Sequence, residues 1–218
     1  MIITVSKPFP EITKNLSLYR RVFIVGCASC ATKCQTGDDD ALKNAALLLE
    51  KEGKEISGYL VLDTPCDIRI VRRDLGHSPQ VASCDVILVL ACGSAVGAIE
   101  KVVDKPIIPG LDPLFVGTTE RIGVYHEFCT ICGKCILDKT AGICPRSRCP
   151  KGLVNGPCGG IVNGKCETDT DRDCAWVLIY NKMKRSGREK EIVEGYHAPK
   201  SYSKPYLLNR SSLHKVKQ

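Results

Sequence analysis

Residues 21–34 read RVFIVGCASCATKC. The run VFIV, entered from Arg21 and closed by Gly26, predicts a short buried strand over 21–26. Three cysteines follow it at once, Cys27, Cys30 and Cys34. Downstream the pattern repeats with a helix between strands. DDDALKNAALLLEKE (38–52) carries acids at its start and lysines towards its end, with Gly53 as the stop, as a helix dipole favours. SGYLVLD (57–63) predicts a second strand and DIRIVRRDL (67–75) a helix ending at Gly76, with a further short turn after Pro79. DVILVLA (85–91) is continuously apolar, as a strand covered on both faces should be. Residues 94–103 read as a third main helix and KPIIP (105–109) as a fourth strand. This βαβα order predicts a small, doubly wound, mostly parallel sheet.

In such a sheet the binding crevice lies at the carboxyl ends of the strands. Cys27, Cys30 and Cys34 follow the first strand, Cys66 the second and Cys92 the third. Residues distant in sequence should therefore meet on one rim. The Cys27-x2-Cys30-x3-Cys34 loop offers three thiolate ligands to one metal centre, with Cys92 or Cys66 as the fourth. Cys92 is the preferred choice, because Gly93 lets backbone approach closely and the following helix points its positive end at an anionic cluster. Cys84 reads as a small buried hydrophobe. ACGSAVGA (91–98) is neither a dinucleotide fingerprint nor a phosphate loop, so nucleotide or flavin binding by this chain is weakly supported.

The chain has 218 residues and fourteen cysteines. Eight of them run Cys129-x2-Cys132-x2-Cys135-x8-Cys144-x4-Cys149-x8-Cys158-x7-Cys166-x7-Cys174. Disulfide frameworks belong to short secreted chains. This one is long enough for a real core, and it opens on MIITVSKPFPEITKN, which has no apolar signal-peptide core. Its longest apolar run, 86–92, is too short to span a bilayer. The expectation is a cytoplasmic protein whose clustered thiols are metal ligands.

CTICGKC (129–135) places thiolates at two successive x2 steps, which suits one 4Fe-4S cluster. Its fourth ligand is expected at Cys144, before Pro145. A Cys-x2-Cys pair also serves zinc. Cys149, Cys158, Cys166 and Cys174 remain as a third cluster or a zinc site. The count is two or three clusters, and zinc in one Cys-rich site stays open. Gly156, Gly159 and Gly160 flank Cys158 and would bring backbone N–H groups towards sulfur. Aliphatic residues are sparse there, so folding should depend on the metal. His126 reads as a surface or core residue, and Asp169, Asp171 and Asp173 as a solvated turn. No nucleophile–base pair or paired carboxylates stand out, so no catalytic residue is assigned.

Ten of the 31 Lys/Arg and three of the 24 acids fall in 181–218, leaving 21 of each sign in 1–180. The whole excess of +7 therefore sits in the C-terminal segment. That segment reads as a basic, extended arm that could wrap a partner through Tyr196, Tyr202, Tyr206, Leu207 and Leu208. It has no nucleic-acid-binding signature. The expected organisation is an α/β domain over 1–118, a Cys-rich metal domain over 119–180 with 109–119 as linker, and the basic arm over 181–218.

CPKGLVNGPCGGIVNGKCE (149–167) resembles the methylenetetrahydrofolate reductase C-terminal domain family. With the Cys27-x2-Cys30-x3-Cys34 loop and the chain's size, residues 1–205 look like the small iron–sulfur (MetV-type) subunits of that reductase in anaerobic bacteria. The resemblance implies a partner: a barrel subunit that carries FMN or FAD, binds the folate and reduces methylenetetrahydrofolate to methyltetrahydrofolate. This chain would pass electrons to that flavin, in a heteromeric complex with room for further electron-transfer subunits. Two other readings stay open, a structural zinc or iron–sulfur scaffold and a stand-alone ferredoxin-like carrier or sensor.

Overall fold

In the computed structural model, which describes residues 1–133, 135–195 and 197, the chain divides into two units, Met1–Ile131 and Cys132–Gln218. The arm anchors expected at Tyr196, Tyr202, Tyr206, Leu207 and Leu208 lie outside the described residues.

The first unit opens with β1 (Ile2–Ser6) and α1 (Phe9–Asn15), then β2 (Arg21–Cys27), α2 (Cys30–Lys33), α3 (Asp39–Lys51) and β3 (Glu55–Leu62). It continues through α4 (Ile68–Leu75), α5 (Pro79–Ser83), β4 (Val86–Val89), α6 (Gly93–Glu100) and β5 (Ile107–Pro109). β6 (Leu111–Val116), β7 (Thr118–Arg121) and β8 (Val124–His126) complete it. The main sheet has the order β3-β2-β4-β5, and every neighbouring pair is parallel. The expected α/β fold with a parallel sheet is what the chain adopts. The chain moves from β2 to one side for β3 and to the other for β4. The strand order thus reverses at β2, where open α/β sheets bind their ligands.

Local chemistry explains the elements. Asp38 caps α3 by accepting from the Ala41 N–H at 2.9 Å, and Asp67 caps α4 by accepting from Arg69 N–H at 2.9 Å. Arg69 also holds the Asp67 carboxyl down to about 2, through its side chain first and its backbone N–H second. β4 is buried along its whole length. Ile24, Leu42, Leu49, Leu62, Ile87 and Leu88 are among the fully buried side chains. Each such side chain stabilises the fold by about 1.5–3 kcal/mol relative to exposure.

Two features depart from the sequence reading. Residues 111–116, read as linker, form β6, which pairs antiparallel with β1 from Ile2↔Val116 to Ser6↔Leu111. Its partner lies more than a hundred residues away, so no local pattern announces it. A buried Thr4 Oγ1···Thr36 Oγ1 hydrogen bond of 2.8 Å then ties β1 to the chain just beyond Cys34. Residues 119–131 belong with the first unit, not with the Cys-rich segment. Within them His126 pairs with Glu120 at 2.5 Å and stacks on Phe128 with ring centroids 5.2 Å apart.

The second unit holds a 3-10 turn at Leu137–Lys139, α7 (Pro145–Arg148), β9 (Lys165–Cys166), β10 (Asp169–Asp173), α8 (Ala175–Arg185) and α9 (Lys190–Glu194). Its core cluster is small: Cys174, Trp176, Ile179 and Met183, with Ile143, Ile161 and Val177 against it. The acidic run 169–173 is an exposed strand, not a turn; Asp173 accepts from Lys165 Nζ at 2.7 Å. The segment from 181 begins as helix, since α8 continues to Arg185 and α9 follows.

Gly26 precedes Cys27 at a close approach of backbone. A Cβ there would meet the Gly37 carbonyl and, at 2.6 Å, Leu42 Cδ1, while Cys27 N–H donates to that same Gly37 carbonyl at 2.9 Å. Gly26→Ala should therefore destabilise the first unit by about 1–3 kcal/mol through overpacking. Urea unfolding followed by circular dichroism measures this, and an unchanged midpoint would contradict it.

Candidate metal centres

Two groups of cysteines are brought together, one in each unit. In the first unit β2 lies between β3 and β4, with Cys27 opposite Leu62 and Val25 opposite Val89. Cys27 ends β2 and is buried; Cys30 begins α2 and Cys34 closes it, both half-buried. One helical turn apart, they face the same residue of β1. Ile2 N–H donates to Cys30 Sγ at 3.4 Å, and Cys34 Sγ donates to the Ile2 carbonyl at 3.9 Å. Cys92 is the N-cap residue of α6 and makes no side-chain cap. The first N–H groups of α6 thus stay available beside the thiols, a setting that favours a negative ligand.

Cys66 stands on the same rim. Burial pushes its thiol up, and so do the neighbouring Cys92, Cys27 and Cys30. The sequence held the signal for it, because Cys66 follows its strand as Cys27 and Cys92 follow theirs. Cys84 is buried as expected; its Sγ donates to the Val81 carbonyl at 3.1 Å, and burial raises its pKa.

In the second unit Cys149, Cys158, Cys166 and Cys174 line a single small cavity, together with Trp176 and Ile161. They lie on four different pieces of chain. Cys149 ends α7, Cys158 sits in a glycine-rich loop, Cys166 ends β9 and Cys174 caps α8 without a side-chain bond. Trp176 Nε1 donates to the Leu153 carbonyl at 2.9 Å, which pins the loop between Cys149 and Cys158. Glu167, beside Cys166, pairs with Lys151. Its carboxylate occupies the space that a Cβ at Gly160 would need, so a larger residue there would displace the Glu167 side chain. The sequence reading grouped these cysteines but missed the Lys151–Glu167 pair.

The CTICGKC motif is divided. Cys129 belongs to the first unit, and Cys132, Cys135 and Cys144 to the second. Ile131 adopts a left-handed φ of 48°, uncommon for a β-branched residue, and its N–H donates to Cys129 Sγ at 3.4 Å. Cys129 and Cys135 are exposed; Cys132 and Cys144 are half-buried. Among the described residues, no three His, Cys, Asp or Glu side chains form a group ready to hold a metal ion. The thiols share neighbourhoods without standing at ligand distances.

Residues 108–203 match the family model for the methylene-tetrahydrofolate reductase C terminal. The match supports placing this segment in that family. It begins at β5 and takes in the whole Cys-rich run, while residues 1–107 lie outside it. No curated protein and no solved structure matches the chain. Among the described residues, no helix is long and apolar enough to cross a membrane.

The donor sets fit thiophilic metal centres. Thiolates select zinc or iron–sulfur clusters, and uncapped helix starts at Cys92 and Cys174 supply N–H groups for the negative charge. Cys166 has a further aid. The Thr168 hydroxyl, 3.2 Å from its Sγ, and the Thr168 backbone N–H pull its thiol below the ordinary value. Its thiolate is thus populated at lower pH than an ordinary thiol's. In chelator-treated protein Thr168→Val should move the pH profile of Cys166 alkylation upward, while leaving that of Cys66 in place. Peptide-resolved iodoacetamide labelling would show this, and an unmoved Cys166 profile would contradict it.

Proposed function

We propose that this chain is the iron–sulfur subunit of a methylenetetrahydrofolate reductase, acting with a barrel subunit that carries FMN or FAD. The observation that carries the reading is the convergence of Cys149, Cys158, Cys166 and Cys174 on one cavity inside the segment that matches the reductase family. Iron–sulfur clusters bound by these thiols would supply one-electron transfer.

The residues of this chain have definable tasks. Cys149, Cys158, Cys166 and Cys174 hold one centre. Cys27, Cys30 and Cys92, with one further rim thiol, hold another at the end of the parallel sheet, and Cys132, Cys135 and Cys144 serve a third. Trp176 and Ile161 keep water from the cavity, and the first N–H groups of α8 face negative charge. The Thr168 hydroxyl favours the thiolate of Cys166. Hydrogen bonds to the sulfurs and the degree of solvent exposure are how a protein tunes a reduction potential. The folate and its chemistry would remain with the barrel subunit, which needs two electrons and two protons per methyl group formed. Further electron-transfer subunits would supply the electrons, and the basic segment beyond His197 would hold the complex together.

One observation favours a second reading for one site. The cavity among Cys149, Cys158, Cys166 and Cys174 is small, and four thiolates around a small cavity also suit a tetrahedral structural zinc. The chain would then be a scaffold in its second unit.

Rapid mixing separates the readings. The chain, purified without oxygen, reduced and joined to its flavoprotein, is mixed with methylenetetrahydrofolate. Reoxidation of the visible cluster bands in step with substrate consumption is expected. Cys30→Ala should abolish electron delivery to the flavin while leaving the complex assembled on a sizing column. Cluster bands indifferent to substrate, with full turnover by Cys30→Ala, would contradict an electron-transfer role.

A further inference from the structure

The rim of the first unit carries five thiols, Cys27, Cys30, Cys34, Cys66 and Cys92, and a cubane cluster has four iron corners. Cys66 follows the edge strand β3, so its position depends on how the loop after β3 is tied down. That loop is stitched to the cysteine loop after β2. Ala28 N–H donates to the Leu62 carbonyl at 2.8 Å, and Ser29 Oγ to the Asp63 carbonyl at 3.0 Å. Asp67 N–H closes a turn onto the Thr64 carbonyl at 2.9 Å. Asp67 itself is locked as the cap of α4 by Arg69. Cys66 lies inside this turn, fixed from both ends.

The other side of β2 is fixed in the same way. Leu90 N–H donates to the Val25 carbonyl at 2.7 Å, which carries the chain beyond β4 over the end of β2 and places Cys92 at the start of α6. Cys66 and Cys92 therefore approach the Cys27–Cys30 loop from the two strands that flank it. Cys34 instead turns its sulfur to the Ile2 carbonyl.

We propose that Cys66 is a ligand of the N-terminal metal centre, entering from β3 opposite Cys92 from β4, so that the centre bridges three adjacent strands. The inference rests on the reading that this rim holds a metal centre. As the sulfur–metal bond forms, the Cys66 S–H bond breaks and its proton passes to water. Metal binding would then clamp the edge strand and the start of α4 to the middle of the sheet. An exposed residue would become chemically protected.

The test uses the full chain purified without oxygen, with its metal as isolated. Cys66→Ser, Cys34→Ser and Cys30→Ser are compared for iron, sulfide and zinc per chain and for the EPR spectrum after dithionite reduction. The wild type is also labelled with iodoacetamide before and after treatment with a chelator. Cys66→Ser should lose the same metal, or alter the same EPR signal, as Cys30→Ser. In the wild type, labelling of Cys66 should be slower in the loaded protein by at least about tenfold, a readout that needs no variant to fold. Wild-type metal and spectrum in Cys66→Ser, with loss in Cys30→Ser, would overturn this inference alone, as would equal labelling of Cys66 before and after stripping. Unchanged metal and spectrum in Cys30→Ser as well would remove the reading on which it rests, and the inference with it.

Discussion

At the carboxyl end of a parallel sheet the strands stop but the chain must turn into a helix or loop, and those turns crowd together where the strand order reverses. Here the reversal falls at β2, between β3 and β4. The Gly26–Cys27 step lets the returning chain at Gly37 pack directly on the strand end. That contact, with the Thr4–Thr36 bond behind it, holds the loop carrying Cys30 and Cys34 against the sheet. Cys66 and Cys92 are brought to it by strand pairing and by the hydrogen-bonded turns that follow β3 and β4. A thiol-rich rim is thus a consequence of backbone topology, and the rest of the first unit is an apolar core that keeps this topology rigid.

The second unit solves the same problem with far less core. Cys174, Trp176, Ile179 and Met183 form its buried cluster, and the loops from Cys149 to Cys166 carry little apolar mass. Folding entropy of roughly 1–2 kcal/mol per ordered residue leaves such a segment marginal on burial alone. On the proposed reading, thiolate–metal bonds would supply the missing stability. The four cysteines line one cavity with Trp176, and Cys174 among them also belongs to the small core. The Glu167 side chain, paired with Lys151, lies directly over Gly160 and ties the loop after Cys158 to the loop after Cys149.

The parallel sheet was legible because its signals are local. VILV at 86–89 is buried on both faces, as its unbroken apolar run implies, and the acids of 38–40 lead α3 as its dipole favours. Cys149, Cys158, Cys166 and Cys174 lack any x2 pair, so their spacing did not group them, and it is the fold that lines one cavity with all four. The β1–β6 pair was not legible, because neither LDPLFV nor its distant partner IITVS carries a signal of the other. Cys66 was legible as a rim residue, because it follows its strand as Cys92 follows its own; the sequence left open which of the two joins the Cys27–Cys30 loop. The 169–173 run escaped because charged residues read as turn, while here Lys165 neutralises Asp173 across a short exposed hairpin.

The central claim is that these cysteines bind redox-active metal. The direct measurement is iron, acid-labile sulfide and zinc per chain on protein purified without oxygen together with the proposed flavoprotein partner, with EPR spectra before and after reduction. The account predicts about eight to twelve irons, with matching sulfide, and EPR signals that appear on reduction, at four irons per cubane cluster. Zinc alone, little iron and no reducible signal would contradict it and leave a structural subunit in its place.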